Sequence, residues 1–464
     1  MTSAGRSGGE QPLSPTLSPA GNSMGGGLLF ADFNQDYGCF AVGTENGFRI
    51  YNSDPFKEKK TREFEDGGGI GMVSMLYRTN YLALVGGGRN PQFPPNRVML
   101  WDDAASKLMA ELEFRSNVHR VLLKRHHIVV VLRNKCVICS LESRPKKLHA
   151  FDTFYNDKGV GAVSSDPDTN ILVFPGRQRG HIQIVDLDSV VIMGPQSSST
   201  SSSKAKHQQH QRDGGGSNGG SRNPSLSPSK SSSPHDGGKK HHHNYDKASS
   251  EEIVHLSNIN IIPAHSTAIS ALAINSTGTR VASASEKGTL IRVFNTVNGT
   301  LLHEFRRGVD RADIYNIAFS PDSTRLCVAS DKGTIHIFNL ESSNSPRNSS
   351  SSNNGNGHYH HHPSGGSMVG DGNSGYSDIP SSASLSPHGN RKSSFAFMKD
   401  LLPKYFSSEW SFTHIRIPGE VRCICGFGQE RNSIIVLCAD GTCQKYMFDT
   451  YRGQAARQWQ RRFI

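Results

Sequence analysis

The chain has 464 residues, of which 35% are hydrophobic and 47 are glycine, and its formal net charge is +11 at pH 7. The length could hold two or three domains, but this much glycine and serine means that a good part of the chain never joins a core. The basic balance favours an acidic partner, either a phospholipid surface or a nucleic acid, and no run of eighteen apolar residues offers a membrane span.

In chain order, residues 1–25 are Gly/Ser/Pro-rich and read as a disordered arm without the apolar core of a signal peptide. Order begins near Leu28. From there, seven alternating apolar runs recur: Gly47–Tyr51, Arg97–Trp101, Cys136–Cys139, Gly180–Val185, Gly288–Phe294, Gly333–Phe338 and Gly441–Tyr446. They lie about 40 to 50 residues apart, except for two intervals of roughly 110 that each contain a low-complexity tract. That is the repeat length of a four-stranded propeller blade.

The sharpest internal match sets Thr279–Thr289 beside Thr324–Thr334, two copies of one hairpin with Glu/Asp-Lys-Gly-Thr as the turn. The fold expected is therefore all-β, a seven-bladed WD40-like β-propeller. Blades one to four are assigned to 26–193 and blades five and six to 253–340, with blade seven over 413–450. Disordered insertions fall at 194–252 and 341–392, and 451–464 reads as a basic tail. Both insertions carry histidine runs, His241–His243 and His360–His362, which read as solvated filler.

Eight cysteines are few for this length, and Cys39, Cys327 and Cys438 sit in apolar runs, which suits a reducing, cytoplasmic setting. Cys136 and Cys139 have metal-ligand spacing, but on a strand their sulfurs face opposite sides, so no zinc site is expected. No phosphate-loop, zinc-protease or nucleophile-elbow motif is present, and no catalysis and no cofactor are expected.

The run that invites chemistry is Phe305-Arg306-Arg307-Gly308. Adjacent side chains on a strand point to opposite faces, so one arginine pair can serve two anion pockets. Guanidinium groups hold phosphate oxygens by paired, charge-assisted hydrogen bonds, and Gly308 lets a bulky head group approach. Candidate partners gather on both sides: His265, Ser283, Ser285, Gly288, Thr289 and Arg292 before the pair, then Ser330, Thr334 and His336 after it. Protonation of His265 and His336 at mildly acidic pH is expected to strengthen phosphate binding.

Further on, Phe395, Phe397, Met398, Leu401 and Leu402 lie among basic residues before Pro403. Phe395, Met398 and Leu402 recur at helical spacing, the pattern of an interfacial membrane anchor. Residues 393–412 are accordingly read as a membrane-inserting loop with its return strand.

These residues resemble the PROPPIN family, phosphoinositide-binding seven-bladed propellers of autophagy. The motifs that carry the resemblance are Phe305–Gly308, Ser283–Arg292, and Phe33-Asn34-Gln35-Asp36 with Glu45-Asn46-Gly47. Tyr81–Gly88, Leu402–Ser408 and Trp410–Phe412 are similar to the branch that contains human WIPI3 and WIPI4, and closer to WIPI3.

The resemblance implies binding of phosphatidylinositol 3-phosphate and phosphatidylinositol 3,5-bisphosphate at two rim sites. The first would use His265, Ser283, Ser285, Gly288, Thr289, Arg292 and Arg306, and the second Arg307, Gly308, Ser330, Thr334 and His336. It also implies a monomeric adaptor on preautophagosomal and endosomal or lysosomal membranes. That adaptor would recruit an autophagy lipid-transfer protein of the ATG2 type through Asn34 and Asp36. No nucleic-acid partner is expected, because the strands lack the aromatic-basic interleaving of stacking platforms. The alternative is a WD-repeat protein-interaction scaffold without lipid recognition.

Overall fold

The computed structural model describes residues 27–64, 67–190, 259–341, 389–392 and 409–464. The arm at 1–25, the whole tract 194–252, the tract 341–392 apart from 341 and 389–392, and Phe395, Phe397, Met398, Leu401 and Leu402 lie outside them. Seven antiparallel sheets follow one another along the chain, spanning 28–63, 70–113, 118–152, 162–263, 269–306, 314–416 and 423–462. Each of the seven apolar runs forms the third strand of its blade, from Gly47–Asn52 in the first to Thr442–Phe448 in the last.

Period-two alternation explains why the blades stack. A middle strand offers apolar side chains on both faces, so it must be covered from both sides. In the third blade, Cys136 and Ile138 pack with Phe151 and Phe174 toward blade four, while Val137 and Cys139 join the cluster shared with blade two. The two sulfurs thus point to opposite faces. Similar clusters fill the seams between blades four and five, five and six, and six and seven.

Three segments differ from the sequence reading. Ile259–Pro263 does not open blade five; it pairs with His181–Asp186 as the outer strand of blade four. Thr413–Arg416 likewise closes blade six by pairing with Thr334–Asn339 instead of opening blade seven. The supposed basic tail contains a strand, Ala455–Arg462, which pairs with Thr442–Phe448 along the outside of blade seven. Thr413–Arg416 and Ala455–Arg462 lack the apolar run by which the inner strands were recognised, and Ile259–Pro263 buries only Ile262 of its three isoleucines, as an outer strand with an exposed face does. Both long excursions accordingly leave from a third strand and return as a fourth.

Among the described residues no strand is shared across the join of the ring, since blades one and seven are each built from consecutive segments. The seam is instead a packed interface. Phe463 meets Phe40 with ring centroids 5.4 Å apart, and the Tyr51 hydroxyl donates to the Phe463 carbonyl at 2.9 Å. Lys445 Nζ from blade seven sits 2.7 Å from Asp54 Oδ2 of blade one.

Blade five carries two additional short strands. Glu409–Trp410 pairs in parallel with its outer strand, Leu301–Arg306, and Arg391–Lys392 pairs with Glu409–Trp410. Asn390 clamps this addition, exchanging hydrogen bonds with the Asn339 main chain and donating to Glu409 Oε2. Among the described residues no helix is long and apolar enough to cross a membrane.

Candidate functional site

The outer strand of blade five ends at Arg306, and the two arginines diverge there. Phe305 is fully buried and stacks on Phe338 of blade six at 4.7 Å. Glu304 and Arg306 therefore share the opposite face, toward blade four. On that face Arg292 Nε donates to Glu304 Oε2 at 2.8 Å and Arg292 Nη1 to the Ala264 carbonyl at 2.6 Å. Beside them His265 Nε2 lies 2.9 Å from the Ser283 hydroxyl. Antiparallel register sets Ser283 opposite Arg292, so His265, Ser283, Arg292 and Arg306 form one set between blades four and five.

Arg307 turns the other way and is buried. Its Nε donates to the Gly288 carbonyl at 3.3 Å, its Nη2 to the Asp310 carbonyl at 2.5 Å, and its backbone N–H to the Thr289 carbonyl at 3.0 Å. Gly288 and Thr289, assigned from sequence to the Arg306 set, thus use their carbonyls to hold Arg307. Gly288 has φ +62°, and a Cβ there would lie 1.8 Å from the Ala312 carbonyl, so only glycine fits this turn. Ser285 is buried beneath the same turn, its carbonyl accepting from Gly288 N–H.

Across the seam, His336 of blade six bridges the Thr334 hydroxyl, 3.3 Å from Nε2, and the Ser411 hydroxyl, 2.9 Å from Nδ1. Ser330 is buried, and its hydroxyl has no hydrogen-bond partner among the described residues. Gly308 is different from Gly288: a Cβ would meet nothing within 4 Å, so the space beside it is open.

The electrostatics overturn the expectation about the histidines. Burial, with Arg292 adding to it, pushes His265 down to about 4. Burial also pushes His336 down to about 4, reinforced by Arg307 and His414. Both imidazoles are therefore neutral at mildly acidic pH and act as hydrogen-bond groups. Burial also lowers Arg307, against Asp331 and Asp310, which raise it, but a guanidinium stays charged.

The partner-contact residues separate as well. Asn34 is buried and tied into its own hairpin: its Oδ1 accepts from Cys39 N–H and its Nδ2 donates to the Tyr77 carbonyl. These bonds fix the turn and tie it to blade two. Asp36 is exposed and pairs with Arg78 at 3.1 Å.

Glu304 and Ser411 escaped the sequence reading. Strand alternation from Arg306 would have found Glu304. Ser411 stood only within the Trp410–Phe412 resemblance, and nothing local linked it to His336, which it reaches from 75 residues away.

A PROPPIN family model matches residues 245–359. SVP1-like protein 2 of Pichia angusta is 38% identical over 317 residues, covering 68% of this chain and 71% of that protein. Autophagy-related protein 18e of Arabidopsis thaliana is 29% identical over 424 residues, covering 91% and 84%. The solved structure of Kluyveromyces lactis Hsv2 superposes with a TM-score of 0.59 at 20% identity, covering 94% of this chain and 99% of that one, a likeness of fold. A seven-bladed ring and a relative this similar over two thirds of both chains lead to one conclusion: the chain belongs to the PROPPIN family.

Proposed function

We propose that this protein is a non-catalytic adaptor that reads 3-phosphorylated phosphoinositides on membranes during autophagy. It binds phosphatidylinositol 3-phosphate and phosphatidylinositol 3,5-bisphosphate at two rim sites, one on each side of Arg306-Arg307. The observation that carries the reading is the pair of opposed donor sets: His265, Ser283 and Arg292 toward blade four, and Arg307, Thr334 and His336 toward blade six. Membership of a phosphoinositide-binding family supports the ligand class, and a relative named as autophagy-related supports the process.

Two weak sites on one rigid body combine through effective concentration, and apolar insertion by Phe395, Phe397, Met398, Leu401 and Leu402 adds to them. The protein works as a monomer, peripherally on preautophagosomal and endosomal or lysosomal membranes. It is nearest in kind to the WIPI3 and WIPI4 branch, and it recruits a lipid-transfer protein of the ATG2 type at the first blade, with Asp36 making the contact expected of that loop.

The test is flotation with liposomes containing phosphatidylinositol, its 3-phosphate or its 3,5-bisphosphate. The wild-type chain is compared with the Arg306→Thr, Arg307→Thr double variant and with each single variant. Selective flotation, weakened by one substitution and abolished by two, is expected. Flotation that ignores the 3-phosphate or survives the double substitution would overturn the reading in favour of a protein-interaction scaffold.

A further inference from the structure

The outer strand of blade seven, Ala455–Arg462, is the longest strand among the described residues at eight residues. No described strand pairs with its outer edge. It carries Arg457, Arg461 and Arg462 and no acidic residue. All three arginines are exposed. Arg457 reaches the Gln460 side chain, while Arg461 and Arg462 reach the main-chain oxygens of Gln460 and Ile464. No carboxylate side chain among the described residues forms an ion pair with any of them.

The arginines are spread over both faces of the strand. Trp459 packs on Phe56 at 6.2 Å and Phe463 on Phe40 at 5.4 Å, so both turn toward blade one. Arg461, midway between them, shares that face, and Arg462 takes the other, where Arg457 joins it because a bulge at Gln458 shifts the register and sets Arg457 opposite Tyr446. A strand laid along this edge would therefore meet guanidinium groups on each of its two faces. Blade five is a precedent within the same molecule, because its outer strand already accepts Glu409–Trp410 as an added strand.

An open edge is a template for strand addition, and charges placed on it decide what may pair. Three arginines that pair with no carboxylate side chain among the described residues repel a second copy of the same edge and any basic strand, and they favour a strand bearing carboxylates. Blade one's outer strand, Lys57–Glu63, lacks this bias, since it interleaves Glu58 and Glu63 with its basic residues. We propose that the outer edge of blade seven docks an extended acidic segment of a partner protein by strand addition. Main-chain hydrogen bonds supply the affinity, and carboxylates on both faces of the added strand meet Arg461 on one side and Arg457 and Arg462 on the other. This surface lies away from the arginine pair on blade five, and the proposal stands independently of the lipid reading.

The test uses the full chain and three synthetic eight-residue peptides: alternating Glu-Val, alternating Lys-Val, and Glu-Val with alternate amides N-methylated. Binding is measured by calorimetry at physiological salt, and hydrogen exchange is followed over 455–462. The Glu-Val peptide is expected to bind and to slow exchange in this strand, the Lys-Val peptide to give no binding, and N-methylation to weaken binding by at least roughly tenfold. The combined Arg457→Glu, Arg461→Glu, Arg462→Glu variant is expected to reverse the preference, with an unchanged melting temperature showing that the ring is intact. Three results would overturn the proposal: no binding of Glu-Val, equal binding of the methylated peptide, which means charge adhesion alone, or binding that leaves exchange at 455–462 unchanged. If the variant unfolds, the peptide series on the wild-type chain decides.

Discussion

Acidification separates the structural account of the rim from the one composition suggests. Suppose a bound phosphate raises each neighbouring histidine by about two pKa units, within the ordinary range for a close opposite charge. Starting from the ordinary value of about 6.5, lowering the pH from 8 to 6 would strengthen binding roughly 20-fold per histidine. With His265 and His336 pushed down to about 4 by burial and cationic neighbours, the same change yields only about twofold per histidine.

The sign for stability is the reverse. A histidine whose pKa is depressed in the fold leaves stability intact above the unfolded value of about 6.5, and stability falls as the pH drops toward 4. Between pH 7 and 5 the loss is about 2 kcal/mol per histidine. Flotation or calorimetry with 3-phosphate vesicles at pH 8, 7 and 6, paired with urea unfolding at pH 7 and 5, measures both. A tenfold or larger gain in affinity by pH 6 that disappears in the His265→Gln, His336→Gln variant would refute the reasoning.

Other consequences follow from particular contacts. Gly288→Ala is expected to lose about 1–2 kcal/mol from its left-handed backbone alone and more from the Ala312 carbonyl, whereas Gly308→Ala changes the urea midpoint little and weakens only vesicle binding. At the ring seam, Phe463→Ala should cost about 3–5 kcal/mol in urea unfolding, and Tyr51→Phe about 1 kcal/mol through the lost bond to the Phe463 carbonyl. All eight cysteines are buried, with burial raising Cys136 and pushing Cys139 up to about 12. Thiol titration at neutral pH should find none reactive in the native chain and all eight after denaturation.

Inner strands announce themselves because both faces are buried, which forces a dense apolar run such as Cys136–Cys139 or Leu290–Phe294. Outer strands do not, and Ala455–Arg462 reads as a charged tail because its pairing with Thr442–Phe448 leaves no apolar trace. The arginine pair and the hydroxyls around it were legible as a candidate site because alternation on a strand is a local rule. Their electrostatic state was not, because the depression of His336 depends first on burial, then on Arg307, which the stacking of blades five and six brings near it, and on His414, which faces it from the outer strand of its own blade.

By itself the sequence determined a repeating all-β ring and two candidate donor sets astride Arg306-Arg307, since period-two patterning and repeat spacing are properties of neighbouring residues. Tertiary structure alone decided how the ring closes, through Phe463, Tyr51 and Lys445. It likewise decided that Asn34 ties its hairpin to blade two, that Gly288 and Thr289 hold Arg307, and that Glu409–Trp410 extends blade five. Each of these depends on groups far apart in the chain, and the free energy that joins them, from burial and satisfied hydrogen bonds, exists only once the blades are packed.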